Sequence, residues 1–280
     1  VLKFLKPNSI EDAKAMLNEY TNSKLLAGGT DLILELKREK LKTENIIDLG
    51  KISKLKALTE DAASVTLGSM VTFTEVLVNS IIKNNFNSLV ECAKNMGSPQ
   101  IRNMATIGGN ISNAGSAADV VSCLISLNGI LEIESINGTR QISCEDYFKN
   151  YNTEKLKENE ILIGIRIPKS KDLSGYYKLG KRNSLAISRV SAALSLNIEE
   201  NIIRNISICL GAVGRYPFRA EEFERQALGK NAEWLYSEEP LTLLENDVYE
   251  SIKERATMPF KKEAIKGVYK EALRTALESK

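Results

Sequence analysis

The sequence predicts an α+β fold in two domains. Three observations lead there. The first fifty residues alternate short apolar runs with stretches of helical spacing, the pattern of a small α/β unit. After Pro168 the order changes, and three β-rich runs are followed by three amphipathic segments, the signature of an α+β domain. The length of 280 residues, 43% apolar and 26% charged, is enough for two cores and excludes a disordered or collagen-like chain. The domains are placed at 1–168, with subdomains of about 1–54 and 55–168, and at 169–280.

The elements follow in order. Phe4-Leu5-Lys6-Pro7 reads as a strand. Ser9 and Asp12 open a helix carrying Ile10, Ala13, Leu17 and Tyr20 on one face. Residues 24–27 form a second strand stopped by Gly28-Gly29, 32–38 a helix and 46–49 a strand. Residues 55–70 suggest a hairpin turning at Glu60-Asp61. Thr72 caps a helix toward Val78, and 89–96 reads as another. The stretch 105–115, rich in Gly, Asn and Ser, is expected to be neither plain helix nor strand. Residues 119–127 return to helix, Asn137-Gly138 turns a hairpin over 130–143, and 161–167 is a strand ended by Pro168. Strands are expected at 176–178, 192–198 and 202–210, and helices at 219–228, 241–255 and 261–277. The last helix has Ile265, Val268, Ala272 and Ala276 on a face that must dock.

Composition removes several chemistries. There is no histidine. Ser-His-Asp and Cys-His nucleophile systems, His-ligated metal sites and an imidazole-tethered flavin are therefore excluded. Lys plus Arg is 38 and Asp plus Glu 36, a net charge of +2 that makes no electrostatic case for nucleic acid. No apolar run is long enough for a membrane span. Cys92, Cys123, Cys144 and Cys209 lack the C-x-x-C spacing of a zinc ribbon or iron–sulfur cluster and read as buried thiols. No secretory signal is read, and the expected compartment is a reducing cytoplasm.

Two glycine-rich loops are where chemistry can sit: Leu26-Ala27-Gly28-Gly29-Thr30-Asp31-Leu32, and Ala105 to Ala114 with Thr106-Ile107-Gly108-Gly109-Asn110 at its centre. Paired glycines let peptide N–H groups converge on a phosphate, with Thr or Ser hydroxyls as further donors. Each is equally readable as a tight turn. Neither is a Walker A loop or G-x-G-x-x-G. Thr30 or Asp31 is expected to cap the following helix. Asp119 is either an N-cap or an acceptor for a ligand N–H, and Arg102 is expected in a surface or inter-subdomain ion pair.

At these loops the chain resembles the FAD-binding medium subunits of the xanthine dehydrogenase and carbon monoxide dehydrogenase molybdenum hydroxylases. Within that family it is most similar to flavin subunits of anaerobic purine or nicotinate hydroxylases. The likeness runs in order through Ala27-Gly28-Gly29-Thr30-Asp31-Leu32, Gly97-Ser98-Pro99-Gln100-Ile101-Arg102-Asn103, Thr106-Ile107-Gly108-Gly109-Asn110, Tyr177-Lys178-Leu179-Gly180-Lys181-Arg182 with Leu185-Ala186-Ile187-Ser188, and Gly211-Ala212-Val213-Gly214-Arg215-Tyr216-Pro217.

The resemblance implies a two-subdomain FAD-binding domain of the vanillyl-alcohol-oxidase or molybdenum-hydroxylase type, followed by an α+β C-terminal domain. It implies that Leu26, Ala27, Gly28, Gly29, Thr30, Asp31 and Leu32, with Thr106, Gly109, Asn110 and Asn113, wrap the FAD diphosphate. It puts Asp119 near the adenosine half, Leu162 in apolar contact and Lys178 beside the flavin, where a cation stabilises the reduced ring. Read from its residue type alone, Lys178 is a solvated strand lysine. Met96 stands where larger members carry an aromatic stacking partner. No catalytic side chain and no metal ligand is implied. The expected function is electron output. Electrons from an iron–sulfur subunit, fed by a molybdopterin subunit that hydroxylates a purine or related N-heterocycle, leave through FAD to NAD(P)+ or another acceptor. The alternative is a self-contained flavin oxidoreductase of the same fold acting on a small molecule.

Overall fold

A computed structural model describes residues 2–39, 41–115, 117–180 and 187–279. The first strand, β1 (Lys3–Leu5), leads into α1 (Ile10–Glu19), whose N-cap Ser9 accepts the Asp12 N–H. Then come β2 (Ser23–Leu26), α2 (Leu32–Lys37) and β3 (Asn45–Asp48). The three strands form a parallel sheet in the order β1-β3-β2. Ile10, Ala13 and Leu17 of α1 are buried at helical spacing with Ile47 of the central strand, which is why this short unit holds together. Tyr20, expected on that face, is instead the C-cap, with the Lys3 ammonium 4.0 Å from its ring centroid.

The second sheet is antiparallel, in the order β4-β5-β8-β6-β7. Its first strands are β4 (Leu58–Glu60) and β5 (Ser64–Gly68), the hairpin expected at Glu60-Asp61. Six helices follow: α3 (Phe73–Val78), α4 (Ser80–Asn85), α5 (Asn87–Asn95), α6 (Pro99–Met104), α7 (Ile107–Asn113) and α8 (Asp119–Ser126). Thr72 and Glu75 form a reciprocal capping box at α3. The sheet resumes with β6 (Ile130–Ser135) and β7 (Gly138–Ser143), passes α9 (Cys144–Lys149) and α10 (Tyr151–Glu154), and closes with β8 (Ile161–Pro168).

The third sheet, also antiparallel, has the order β12-β11-β10-β9. It comprises β9 (Leu173–Gly180), β10 (Ser188–Glu199), β11 (Ile202–Gly211) and β12 (Phe218–Arg219). It is followed by α11 (Glu221–Ala227), α12 (Glu238–Ile252) and α13 (Met258–Leu277). Alternation along β10 serves two cores. Ala192, Leu194 and Leu196 join the buried stripe of α13, which includes the expected Ile265, Val268, Ala272 and Ala276. Ala193 joins a core shared with α8 and the second sheet. All eight residues of α8 are buried, so this helix is wedged between the two antiparallel sheets.

The structure corrects several local expectations. The glycine-rich stretch 105–115 contains the helix α7, and Arg219 sits in a strand before its helix rather than inside it. Asp31 occupies the N-cap position of α2, but no side-chain cap bond forms there. Arg102 makes no ion pair among the described residues. Its guanidinium donates to the carbonyls of Met96 and Gly97, at 3.0 and 3.1 Å, at the end of α5. All four cysteines are buried and unpaired. Among the described residues no group of His, Cys, Asp and Glu could hold a metal ion, and no helix is long and apolar enough to cross a membrane.

Candidate functional site

The loop leaving β2 cannot continue the strand, because Gly29 has φ +72°, a conformation that side chains disfavour. The chain turns there, and α2 starts with the Ile33 N–H donating to the Gly29 carbonyl at 3.2 Å. The turn leaves a row of donors. The peptide N–H groups of Gly28, Gly29, Thr30, Asp31 and Leu32 have no acceptor among the described residues. Gly28 is pressed against the end of α6: a Cβ there would stand 1.8 Å from the Met104 carbonyl oxygen. The first glycine loop is thereby fixed onto the segment that carries the second.

The second loop is built differently. Its N–H groups are already paired within the protein. Ile107 donates to the Val71 carbonyl at 2.9 Å, Gly108 to the Ser69 carbonyl at 2.8 Å, Gly109 to the Thr106 hydroxyl at 3.0 Å and Asn110 to the Thr106 carbonyl at 3.0 Å. Gly108 permits this by close approach, since a Cβ would lie 2.5 Å from that of Ser69. A Cβ on Gly109 would lie 3.7 Å from that of Ala27, so the bare backbone of α7 faces the first loop. The expectation of free N–H groups therefore fails for the second loop, whose donors at 107–110 are already bonded. That loop lines the cleft with Thr106, Gly109, Asn110 and Asn113.

A cleft of about 410 Å³ lies between them. It is lined by Ala27, Gly28, Gly29, Thr30, Asp31, Leu32, Thr106, Gly109, Asn110, Asn113 and Leu162, residues from opposite ends of the first 168 positions. Two oxygens at this site are buried without a partner, the Asn110 Oδ1 and the Ser69 Oγ. Leu25, Leu49, Met70 and Ile161 add apolar surface that the sequence reading missed. The reading also missed the wall at Leu156 to Glu160. Arg140 holds Glu160 through two 2.9 Å bonds, and the Lys157 N–H donates to the same carboxylate at 2.9 Å. Burial works against the Glu160 charge, but these donors hold its carboxyl below the usual range.

Four expected residues do not line this cleft. Leu26 is the last residue of β2, paired in register with Asp48. Met96 is the half-buried C-cap of α5. Asp119 and Lys178 are brought to each other instead, with Lys178 Nζ 2.6 Å from Asp119 Oδ2 and side-chain exposures of 9% and 4%. The Ser188 hydroxyl donates to the other carboxylate oxygen. Lys178 is therefore no solvated lysine, and its charge is matched by Asp119. Asp119 is the first residue of α8 rather than its N-cap. Lys181, Arg182, Leu185 and Ala186, part of the family likeness, lie outside the described residues.

The site is thus a row of unpaired backbone donors on a cleft of mixed lining, apolar at Leu25, Leu49, Met70, Ile161 and Leu162 and polar at Thr30, Ser69, Thr106, Asn110 and Asn113. Such a cradle suits the phosphates and flat rings of a dinucleotide. Comparison with known proteins places the chain in a family. Residues 1–170 match the family described as the FAD binding domain in molybdopterin dehydrogenase, and residues 175–276 the CO dehydrogenase flavoprotein C-terminal domain. The nicotinate dehydrogenase FAD-subunit of Eubacterium barkeri is 32% identical over 276 residues, covering 96% of this chain and 93% of that subunit. The xanthine dehydrogenase FAD-binding subunit of Escherichia coli O157:H7 is 28% identical, over 78% of this chain and 76% of that subunit. A solved carbon monoxide dehydrogenase chain from Hydrogenophaga pseudoflava superposes with a TM-score of 0.89 at 27% identity, covering 99% of this chain and 98% of that one. The chain belongs to the FAD-binding subunit family of the molybdopterin dehydrogenases.

Proposed function

We propose that this family member is the electron-output subunit of a molybdenum hydroxylase acting on a purine or related N-heterocycle. Electrons enter from an iron–sulfur subunit served by a molybdopterin subunit, and NAD(P)+ is the acceptor. The substrate class is supported by the likeness to subunits named for nicotinate and xanthine dehydrogenases. The observation that carries the cofactor site is the row of N–H groups from Gly28 to Leu32, unpaired among the described residues, in a segment that lines the cleft.

The residues divide the work by chemistry. The five N–H groups are backbone donors for the two phosphate charges, so no long side chain has to be ordered to supply them. Asn110 Oδ1 and Ser69 Oγ are the buried groups that still need partners. Gly109 keeps its side of the cleft open, and Leu162 with Ile161 gives apolar surface for a ring. Asp31 lines the cleft but is exposed, so water screens its carboxylate from the phosphates. FAD, when bound, supplies the one- and two-electron redox chemistry. Lys178 is paired with Asp119 outside the cleft, so it would favour negative charge on a ring only by leaving that pair.

We further infer that the chain divides at 169–172 into a flavin domain and a C-terminal domain. Four buried free thiols suit a reducing compartment. The test of the cofactor site is FAD titration of the full chain and of Gly109→Val, read by flavin fluorescence. Wild type is expected to bind. The valine, whose Cβ would stand 2.9 Å from the Thr106 hydroxyl and 3.7 Å from the Ala27 Cβ, is expected to weaken binding by about a hundredfold or more with an unchanged circular dichroism spectrum. Equal affinity for both would overturn the assignment.

A further inference from the structure

Some cations of this protein have carboxylate partners, as Arg140, Lys178, Arg219, Lys266 and Arg274 do. One face of the C-terminal part gathers several that have none. Arg189 at the start of β10, Arg255 just after α12, and Lys261 and Lys262 in the first turns of α13 form no salt bridge among the described residues. They are also close together. The Arg189 guanidinium stands 5.2 Å from the ring centroid of Phe260, which is 45% exposed. Lys261 Nζ donates to the Ala212 carbonyl. Burial, and then the charges of Arg255 and Arg189, push the Lys261 ammonium below its ordinary range, and no carboxylate offsets them. The twenty-residue α13 opens here with no side-chain cap and no acidic residue in its first turn. Cations gathered without counter-charge repel one another, and an anion placed among them relieves that repulsion. Two guanidiniums beside an ammonium fit phosphate oxygens, and the exposed Phe260 face gives a flat surface next to them.

We propose that Arg189, Arg255 and Lys261, with Phe260 and Lys262 at the edge, form a phosphate-binding site for the dinucleotide that takes electrons from this subunit. The proposal rests on the acceptor reading above. Arg189 directly follows Ser188, whose hydroxyl bonds the Asp119 carboxylate paired with Lys178. The recognised chemistry is a phosphate group, either the pyrophosphate common to both nicotinamide dinucleotides or the 2′-phosphate of NADP+ alone.

The test is isothermal titration of the full chain with inorganic pyrophosphate, NAD+ and NADP+, before and after loading with FAD. The variants are Arg189→Gln with Arg255→Gln, and Lys261→Gln, which keeps a donor for the Ala212 carbonyl. Binding of the probes in wild type, weakened about tenfold or more in the variants with FAD affinity unchanged, supports the site. Similar weakening of NAD+ and NADP+ assigns the pyrophosphate, and loss confined to the NADP+ preference assigns the 2′-phosphate. No binding at millimolar concentrations, or binding equally strong in the variants, overturns the proposal. So does binding of polyglutamate alone, which would make this face a dock for an acidic protein. The pyrophosphate arm needs no flavin, so a failure of FAD to bind counts against the cofactor site and leaves this test readable.

Discussion

Gly28 and Met104 are in backbone contact, so close that a Cβ on Gly28 would sit 1.8 Å from the Met104 carbonyl oxygen. Residues 76 positions apart are thereby locked into one wall of the cleft. Gly28→Ala is expected to push the loops apart, costing about 2 kcal/mol or more and abolishing FAD binding. Gly29→Ala meets a different obstacle, the positive φ, and is expected to cost about 1 kcal/mol. Urea denaturation of both variants checks the order, and a Gly28→Ala protein as stable as wild type would contradict it.

The buried pair of Lys178 and Asp119 predicts strong coupling. Asp119→Asn leaves an unmatched ammonium in a site where the lysine side chain is 9% exposed, at a cost of about 3–5 kcal/mol. Adding Lys178→Met to that variant is expected to recover much of the loss. A double-mutant cycle measures it, and additive single effects would show that the pair is not a unit.

Asp247 predicts a pH dependence. Its Oδ2 is buried without a partner, and burial, followed by the charges of Glu222 and Glu221, pushes its carboxyl from 3.8 up to about 6. Between about pH 4 and 6 the native carboxyl keeps a proton that the unfolded one has lost, so stability falls as pH rises through that window. Allowing for solvent screening, the loss is roughly 1 kcal/mol. Asp247→Asn should be more stable by that amount at pH 7.5 and unchanged at pH 4. Thermal melts across the range check both ends.

Tyr176 is fully buried, and among the described residues its hydroxyl makes no hydrogen bond of ordinary geometry, although Asp119 is close by. Burial and the negative charge of Asp119 hold its phenol well above the ordinary range. Removing the hydroxyl discards at most a poorly formed contact with Asp119, so Tyr176→Phe is expected to match or exceed wild-type stability by about 1 kcal/mol. A clear loss in urea denaturation would mean that the hydroxyl has a partner in solution.

Local signals were legible and distant ones were not. Ser9 and Thr72 announce their helices because a cap is decided within four residues, and Asn137-Gly138 turns its hairpin for the same reason. The helix α7 was hidden because two glycines and two asparagines in seven residues argue against helix. What stabilises it is the packing of Gly108 on Ser69, a neighbour 39 positions away. The cleft was legible as two loops, but not the division between them, because the N–H groups of the second are taken up by Val71 and Ser69. The pairing of Asp119 with Lys178 spans 59 positions and leaves no trace in either local pattern.

Amide hydrogen exchange of the full chain, with and without FAD, tests the central claim most directly. The five N–H groups from Gly28 to Leu32 have no acceptor among the described residues, so they should exchange fast alone and slow by about a hundredfold or more when phosphates occupy them. Those of residues 107–110 are already bonded and should change little. Protection appearing at 107–110 while 28–32 stay fast would contradict the account.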